Sequence, residues 1–176
     1  KTISTEYLSN PPYFTARKDV CEIPDGRLVP SYFVVELPPT VCAMAITEEG
    51  EVILVKQYRH PVGEVLTEIP GGFADEGEDA KTAIARELLE ETGYQAKRMT
   101  YLTGGPVSAG FGSEMISIYR ATGLKKVGPG GSVDGEGIRI HEVRVYRVPA
   151  CLRKQPRDAL RVAPSIFAAL YRVNQS

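Results

Sequence analysis

At 176 residues the chain is long enough to bury a full hydrophobic core, as one domain with room for a small added piece. Apolar residues at 43% and charged residues at 24% match an ordinary globular protein and exclude a disordered or fibrous one. Lys plus Arg at 21 against Asp plus Glu at 22 leaves a net charge of −1, so no overall field draws the chain to nucleic acid or an anionic membrane, and an anionic ligand has to be held locally.

In chain order, Phe14 to Ile23 and Ser31 to Leu37 are β-rich runs flanking Pro24-Asp25-Gly26, a turn sequence that predicts a hairpin. Pro38-Pro39 then marks a boundary. Residues 1–38 are too few to own a core, so this β-hairpin extension must pack on the main domain, 39–176, or on another copy of it. Val41 to Thr47 and Val52 to Tyr58 read as buried strands joined by a turn at Gly50. Glu68 to Glu78 reads as a glycine-bearing turn. It leads into a helix over Asp79 to Thr92, with Asp79 as N-cap, no internal Gly or Pro, and Gly93 as the stop. Met115 to Arg120 alternates as a strand. Residues 127–137, with five glycines and two carboxylates, read as a mobile loop. Ile138 to Tyr146 is a further strand, with a bulge at His141-Glu142 where the alternation slips. Pro164 starts a last helix with Ile166, Leu170 and Val173 on its buried stripe.

The three cysteines, Cys21, Cys42 and Cys151, form no CxxC pair and have two histidines for company, which speaks against a zinc site or a disulfide framework. Cys42, in the apolar run Val41 to Ile46, reads as a buried reduced thiol. With no signal peptide and no apolar run long enough for a bilayer, the expected compartment is a reducing cytoplasm and no membrane partner. The C-terminal third is locally basic through Arg139, Arg144, Arg147, Arg153, Lys154, Arg157 and Arg161, but no aromatic stacking motif accompanies them, so nucleic acid is not an expected partner.

The Asp79–Thr92 helix carries Ile84, Ala85, Leu88 and Leu89 on one side and Glu87, Glu90 and Glu91 within an arc of about 100° on another. Like charges at this spacing repel, and carboxylates in a last turn oppose the helix dipole. One reading is a solvated acidic face with an Arg86–Glu90 pair. The other is a site for a hard, oxygen-seeking cation such as Mg²⁺ or Mn²⁺, and the glycine-bearing turn just before the helix favours it.

Gly72, five intervening residues, Glu78, seven more, then Arg86-Glu87-Leu88-Leu89-Glu90-Glu91-Thr92-Gly93 resembles the Nudix box, the loop-helix-loop signature of the Nudix hydrolases, with Tyr94 where that family mostly has an aliphatic residue. The resemblance implies an α/β (α+β) fold, an α/β/α sandwich with a mixed sheet, and hydrolysis of a nucleoside diphosphate linked to another group. It implies Glu87 and Glu91 as principal ligands of Mg²⁺ or Mn²⁺, two or more ions per site, with Glu90 and the Gly71 carbonyl assisting, Gly72 beside the substrate and Arg86 orienting the glutamates.

Val55-Lys56-Gln57-Tyr58-Arg59-His60-Pro61 followed by Glu68-Ile69-Pro70-Gly71-Gly72, together with the N-terminal extension and Glu136-Gly137-Ile138-Arg139-Ile140-His141, is similar to the ADP-ribose pyrophosphatase branch. That likeness implies a homodimer with exchanged extensions and a small-molecule nucleoside diphosphate substrate. It also implies Arg59 and Glu68 at the substrate, Arg27 reaching in from the partner copy, Glu114 as a further acidic position, and Asp134 or Glu136 as general base, Glu136 preferred for its reach. Where that branch commonly has Ser-Pro-Gly beyond the box, this chain has Ser108-Ala109-Gly110, and Gly128-Pro129-Gly130-Gly131 resembles relatives acting on UDP-glucose or GDP-mannose. The alternatives are therefore another nucleotide substrate, including dinucleoside polyphosphates and nucleoside triphosphates, or a nucleotide-sensing domain without turnover.

Overall fold

The computed structural model describes residues 1–9, 15–131 and 139–144. Their contacts fall into two units: residues 1–39 with 105–116, and the remainder.

The first unit is a three-stranded antiparallel sheet in the order β1 (Thr2–Ser9), β2 (Thr15–Glu22), β3 (Leu28–Glu36). β2 and β3 are the expected hairpin, turning through Gly26 at φ 86°. β1 lies outside the elements anticipated from sequence. Its pairing with β2 shifts register between Thr2 and Ser4 and again between Tyr7 and Ser9, which breaks the period-two signal. Among the described residues of 1–39 no apolar side chain is buried. The buried one is Asp19, which accepts from the Thr5 hydroxyl at 2.8 Å and pairs with Arg17 at 3.1 Å; Arg17 also pairs with Glu36. Residues 105–116 join β3 through their backbone, with the Val35 N–H donating to the Phe111 carbonyl at 2.9 Å and the Ser113 N–H to the Val35 carbonyl at 3.0 Å.

The second unit runs β4 (Thr40–Ala45), β5 (Glu51–Arg59), a 3₁₀ turn (His60–Val62), β6 (Glu64–Glu68), β7 (Gly71–Phe73), α1 (Ala80–Thr92), β8 (Tyr94–Pro106), β9 (Met115–Lys126) and β10 (Arg139–Arg144), the outer ends of β8 and β9 belonging with the first unit. Its strands form two sheets, β7-β4-β9-β8 and β10-β5-β6, and this non-sequential order with a helix is the expected mixed α+β architecture. β4 and β5 are the two buried strands read from sequence, joined through Gly50 at φ 75°, yet they enter different sheets and meet at the single bridge Ile46↔Val52.

Several expectations are corrected. Gly71-Gly72 lies on β7, paired with Val41-Cys42 of β4, because glycines without side chains can lie flat against that strand. β10 pairs with β5 in unbroken register from Arg139↔Lys56 to Arg144↔Glu51, so the bulge at His141-Glu142 is absent. β9 extends to Lys126, beyond the Arg120 expected. β6 and β8 were not foreseen; β8 is rich in polar and glycine residues, and its neighbour β9 rather than its own pattern holds it extended. The last helix from Pro164, and Cys151, lie outside the described residues.

Helix α1 is built as its caps predict. The Asp79 carboxylate accepts the Lys81 and Thr82 N–H groups at 3.0 and 3.1 Å, and Gly93 in the left-handed region returns its N–H to the Leu89 carbonyl at 2.7 Å. It packs on β4 and β7 through Ala83, Ile84 and Leu88 against Val41, Ala43, Ala45, Ile53 and Ala121, where the short alanines admit a close helix. The buried stripe differs from the expected one: Ala85 is exposed and Leu89 half-buried, while Glu91 and Thr92 are buried with the core. No described helix is long and apolar enough to cross a membrane.

Candidate active site

The acidic side of α1 is organised by one cation. Arg86 donates to Glu78 from Nε at 3.2 Å and from a terminal nitrogen at 2.9 Å, to Glu87 at 2.9 Å, to Glu90 at 3.2 Å and to the Phe73 carbonyl at 3.1 Å. Its planar, permanently charged fork suits such simultaneous bonding. Those bonds, Glu78 first, hold the guanidinium above its ordinary pKa, and in return hold the Glu78 carboxyl below the usual range, helped by the Asp75 N–H. The Arg86–Glu90 pair expected at i,i+4 is one arm of this hub. The role of Glu78 as its main anchor was not read from sequence, although the residue's place in the motif was the available signal.

Glu91 stands apart from the hub. It is buried, one carboxylate oxygen accepts the Gly71 N–H at 2.9 Å, and among the described residues no cationic side chain forms an ion pair with it. Burial pushes its carboxyl up to about 8, and the nearby Glu87 charge adds to the effect, while the Gly71 N–H and Arg59 oppose it. Burial also pushes Glu87 upward against the pull of Arg86. The two glycines of β7 meet different neighbours: a Cβ on Gly72 would lie 2.5–2.7 Å from the Glu87 carboxyl atoms, and one on Gly71 would lie 2.1 Å from the Val41 carbonyl oxygen.

Arg59, in register with Glu64, reaches along β6 to Glu68, which faces Val55; the two pair at 2.9 Å and both act on Glu91 through their charge. Gly71, Gly72, Arg86, Glu87, Glu90, Glu91, Arg59 and Glu68 thus belong to one unit. Arg27 and Glu114 belong to the other: Arg27 pairs with Asp25 at 2.7 Å in the hairpin turn, and the Glu114 carbonyl accepts the Val107 N–H at 3.1 Å. Asp134 and Glu136 lie outside the described residues. Cys42 is half-buried rather than buried, because its face of β4 is covered by glycine at position 71. The first part of the supposed mobile loop, residues 127–131, instead packs on the end of α1, with the Gly131 N–H on the Glu91 carbonyl at 2.9 Å.

Among the described residues no three His, Cys, Asp or Glu side chains are gathered as a ready cage for an ion, and Glu87 and Glu90 both pair with Arg86. The donor set nevertheless fits a hard cation: it is all oxygen, and Glu91 is a buried carboxylate whose charge no described cation pairs with.

Residues 36–162 match the NUDIX domain, and residues 1–35 match the nucleoside diphosphate sugar hydrolase N-terminal domain. The chain is 38% identical over 126 residues to the methanol dehydrogenase activator of Bacillus methanolicus, covering 72% of this chain and 68% of that protein. It is 36% identical over 124 residues to the ADP-ribose pyrophosphatase of Bacillus subtilis, covering 70% of this chain and 66% of that one. A crystal structure of an ADP compounds hydrolase superposes with a TM-score of 0.82 at 21% identity, over 99% of this chain and 92% of the other, a likeness of fold.

Proposed function

This chain belongs to the NUDIX family, and on that premise we propose that it hydrolyses the diphosphate of ADP-ribose or a related nucleoside diphosphate sugar to a nucleoside monophosphate and a sugar phosphate, using divalent metal. The observation that carries the proposal is the buried Glu91, held by the Gly71 N–H beside the Arg86-bound Glu87 and Glu90. A relative named ADP-ribose pyrophosphatase supports the substrate class.

Glu87 and Glu91, assisted by Glu90 and the Gly71 carbonyl, would hold Mg²⁺ or Mn²⁺, two or more ions per site. Such ions withdraw charge from phosphoryl oxygens and make bound water more acidic. Arg86 keeps Glu87 and Glu90 aimed by sharing one guanidinium between them. Arg59, with Nε fixed by Glu68, presents its outer nitrogens to the diphosphate or ribose, as a planar fork does well. Gly72 leaves room for the substrate backbone-side approach, with Glu114 and the partner copy's equivalent of Arg27 as further contacts. Asp134 or, by preference, Glu136 takes the proton from the attacking water as the new P–O bond forms. The anhydride P–O bond breaks, and the leaving phosphate keeps the bridging oxygen.

The exposed apolar side chains Ile3, Tyr7, Leu8, Leu28 and Phe33 on a sheet with no buried apolar residue support a homodimer through the extension. A reducing cytoplasm suits Cys21 and Cys42 as thiols. Ala109, in the Ser108-Ala109-Gly110 turn, favours a second reading in which the sugar or base differs from that of ADP-ribose.

The test is a panel of ADP-ribose, UDP-glucose, GDP-mannose, dinucleoside polyphosphates and nucleoside triphosphates with Mg²⁺ or Mn²⁺, products being separated by chromatography. Turnover is expected for ADP-ribose or another nucleotide sugar. Exclusive turnover of triphosphates overturns the substrate class, and no turnover at all overturns the enzyme.

A further inference from the structure

The last turn of α1 is held by a segment far along the chain. A helix leaves its final carbonyls without partners of its own. Here the Gly131 N–H donates to the Glu91 carbonyl at 2.9 Å, and the Val127 and Gly128 N–H groups both donate to the Gly93 carbonyl, at 2.8 and 3.2 Å. The Lys126 ammonium donates to the Thr92 carbonyl at 2.6 Å and lies 4.7 Å from the centre of the Tyr94 ring.

Glycine makes this fit possible. A Cβ on Gly130, at φ 67°, would fall 2.4 Å from the Thr92 carbonyl carbon, and one on Gly93, at φ 69°, would fall 2.1 Å from the Gly128 carbonyl oxygen. Both obstacles are backbone, so no side-chain rotation relieves them. Charge points the same way. α1 has no basic residue in its last turn, where Glu90, Glu91 and the negative end of the helix dipole add together, and Lys126 brings a cation to that end from outside the helix.

We propose that Lys126 and the Gly128–Gly131 backbone form a clamp that positions the metal-binding carboxylates of α1, with Lys126 a positioning residue. The proposal rests on the metal reading of Glu87 and Glu91 above. Gripping the Glu91 carbonyl and the two peptides after it fixes the rotation of the last turn, and with it the reach of the Glu91 carboxylate to the Gly71 N–H. A fraying last turn spreads Glu90 and Glu91 over many positions, so that cation binding has to supply the ordering.

The test measures Mn²⁺ binding to the full chain without nucleotide, as free Mn²⁺ by electron paramagnetic resonance, beside amide hydrogen exchange at Gly131 in the metal-free protein. Lys126→Met and Gly130→Ala are each expected to weaken Mn²⁺ binding about tenfold, as loss of a supporting contact around a metal site does, and to speed exchange at Gly131. Lys126→Arg should keep most of both. Val52→Ala, a core change on β5, should lower the melting temperature without moving Mn²⁺ affinity. If Gly130→Ala does not fold, Lys126→Met carries the comparison. Wild-type Mn²⁺ affinity in Lys126→Met, or an equal loss in Val52→Ala, overturns the clamp. Wild-type affinity in Glu91→Gln overturns the metal reading and the clamp with it, whereas loss in Glu91→Gln with no loss in Lys126→Met overturns the clamp alone.

Discussion

Glu91 is the residue on which burial and charge conflict most. Its carboxyl is pushed up to about 8 from an ordinary value of 4.5, so the fold favours the neutral acid. A group raised in the folded state contributes stability that is fully present below its unfolded pKa and is lost as pH rises through its folded pKa. The metal-free protein should therefore lose melting temperature as pH climbs from about 4.5 to about 8 and level off above that, and Glu91→Gln should flatten that loss. Added Mn²⁺ should restore stability increasingly with pH, since a bound cation favours the ionised form. Melting curves with chelator or Mn²⁺ across that range check both trends; a pH dependence unchanged in Glu91→Gln contradicts the assignment. The three glutamates were legible in sequence as an acidic cluster. That Glu91 is buried apart from the Arg86 hub was not, because the choice between the two sides of α1 is made by how close the alanines of β4 let the helix come.

Among the elements, the bounds of α1 were legible because caps act locally, and Asp79 and Gly93 sit where those rules place them, whereas its buried stripe was not. β7 was not. Three residues carry no pattern, and Gly71-Gly72 extends only because β4 pairs with it. The same holds for β1 and β8, whose pairing partners supply what their own sequences lack. The two glycines of β7 separate packing from chemistry. Alanine at 71 meets the Val41 backbone oxygen, which cannot turn aside, so Gly71→Ala should destabilise the protein by about 1–3 kcal/mol as overpacking does. Alanine at 72 meets the end of the Glu87 side chain, which can swing away, so Gly72→Ala should keep most stability and lose activity. Urea melts with parallel turnover assays check the pair; equal effects on both quantities at both positions contradict it.

Across the whole molecule, contacts divide the chain after Pro39, with residues 105–116 joining the N-terminal sheet as no local pattern foretells. That sheet is held by its ladder and by the Asp19–Arg17 pair rather than by a core, which is why a second copy is the proposed cover for its exposed apolar side chains. A chain lacking residues 1–38 should sediment as monomer or aggregate, and an unchanged stable dimer contradicts the exchanged extension. The central claim is that the acidic side of α1 serves a metal-dependent hydrolysis. Its most direct test is turnover of ADP-ribose with Mn²⁺ by the wild type and by Glu91→Gln under identical conditions. The account predicts equal amounts of AMP and ribose 5-phosphate from the wild type and a loss of about a hundredfold or more in the variant, with its circular dichroism unchanged. Wild-type turnover by a folded Glu91→Gln protein would contradict it.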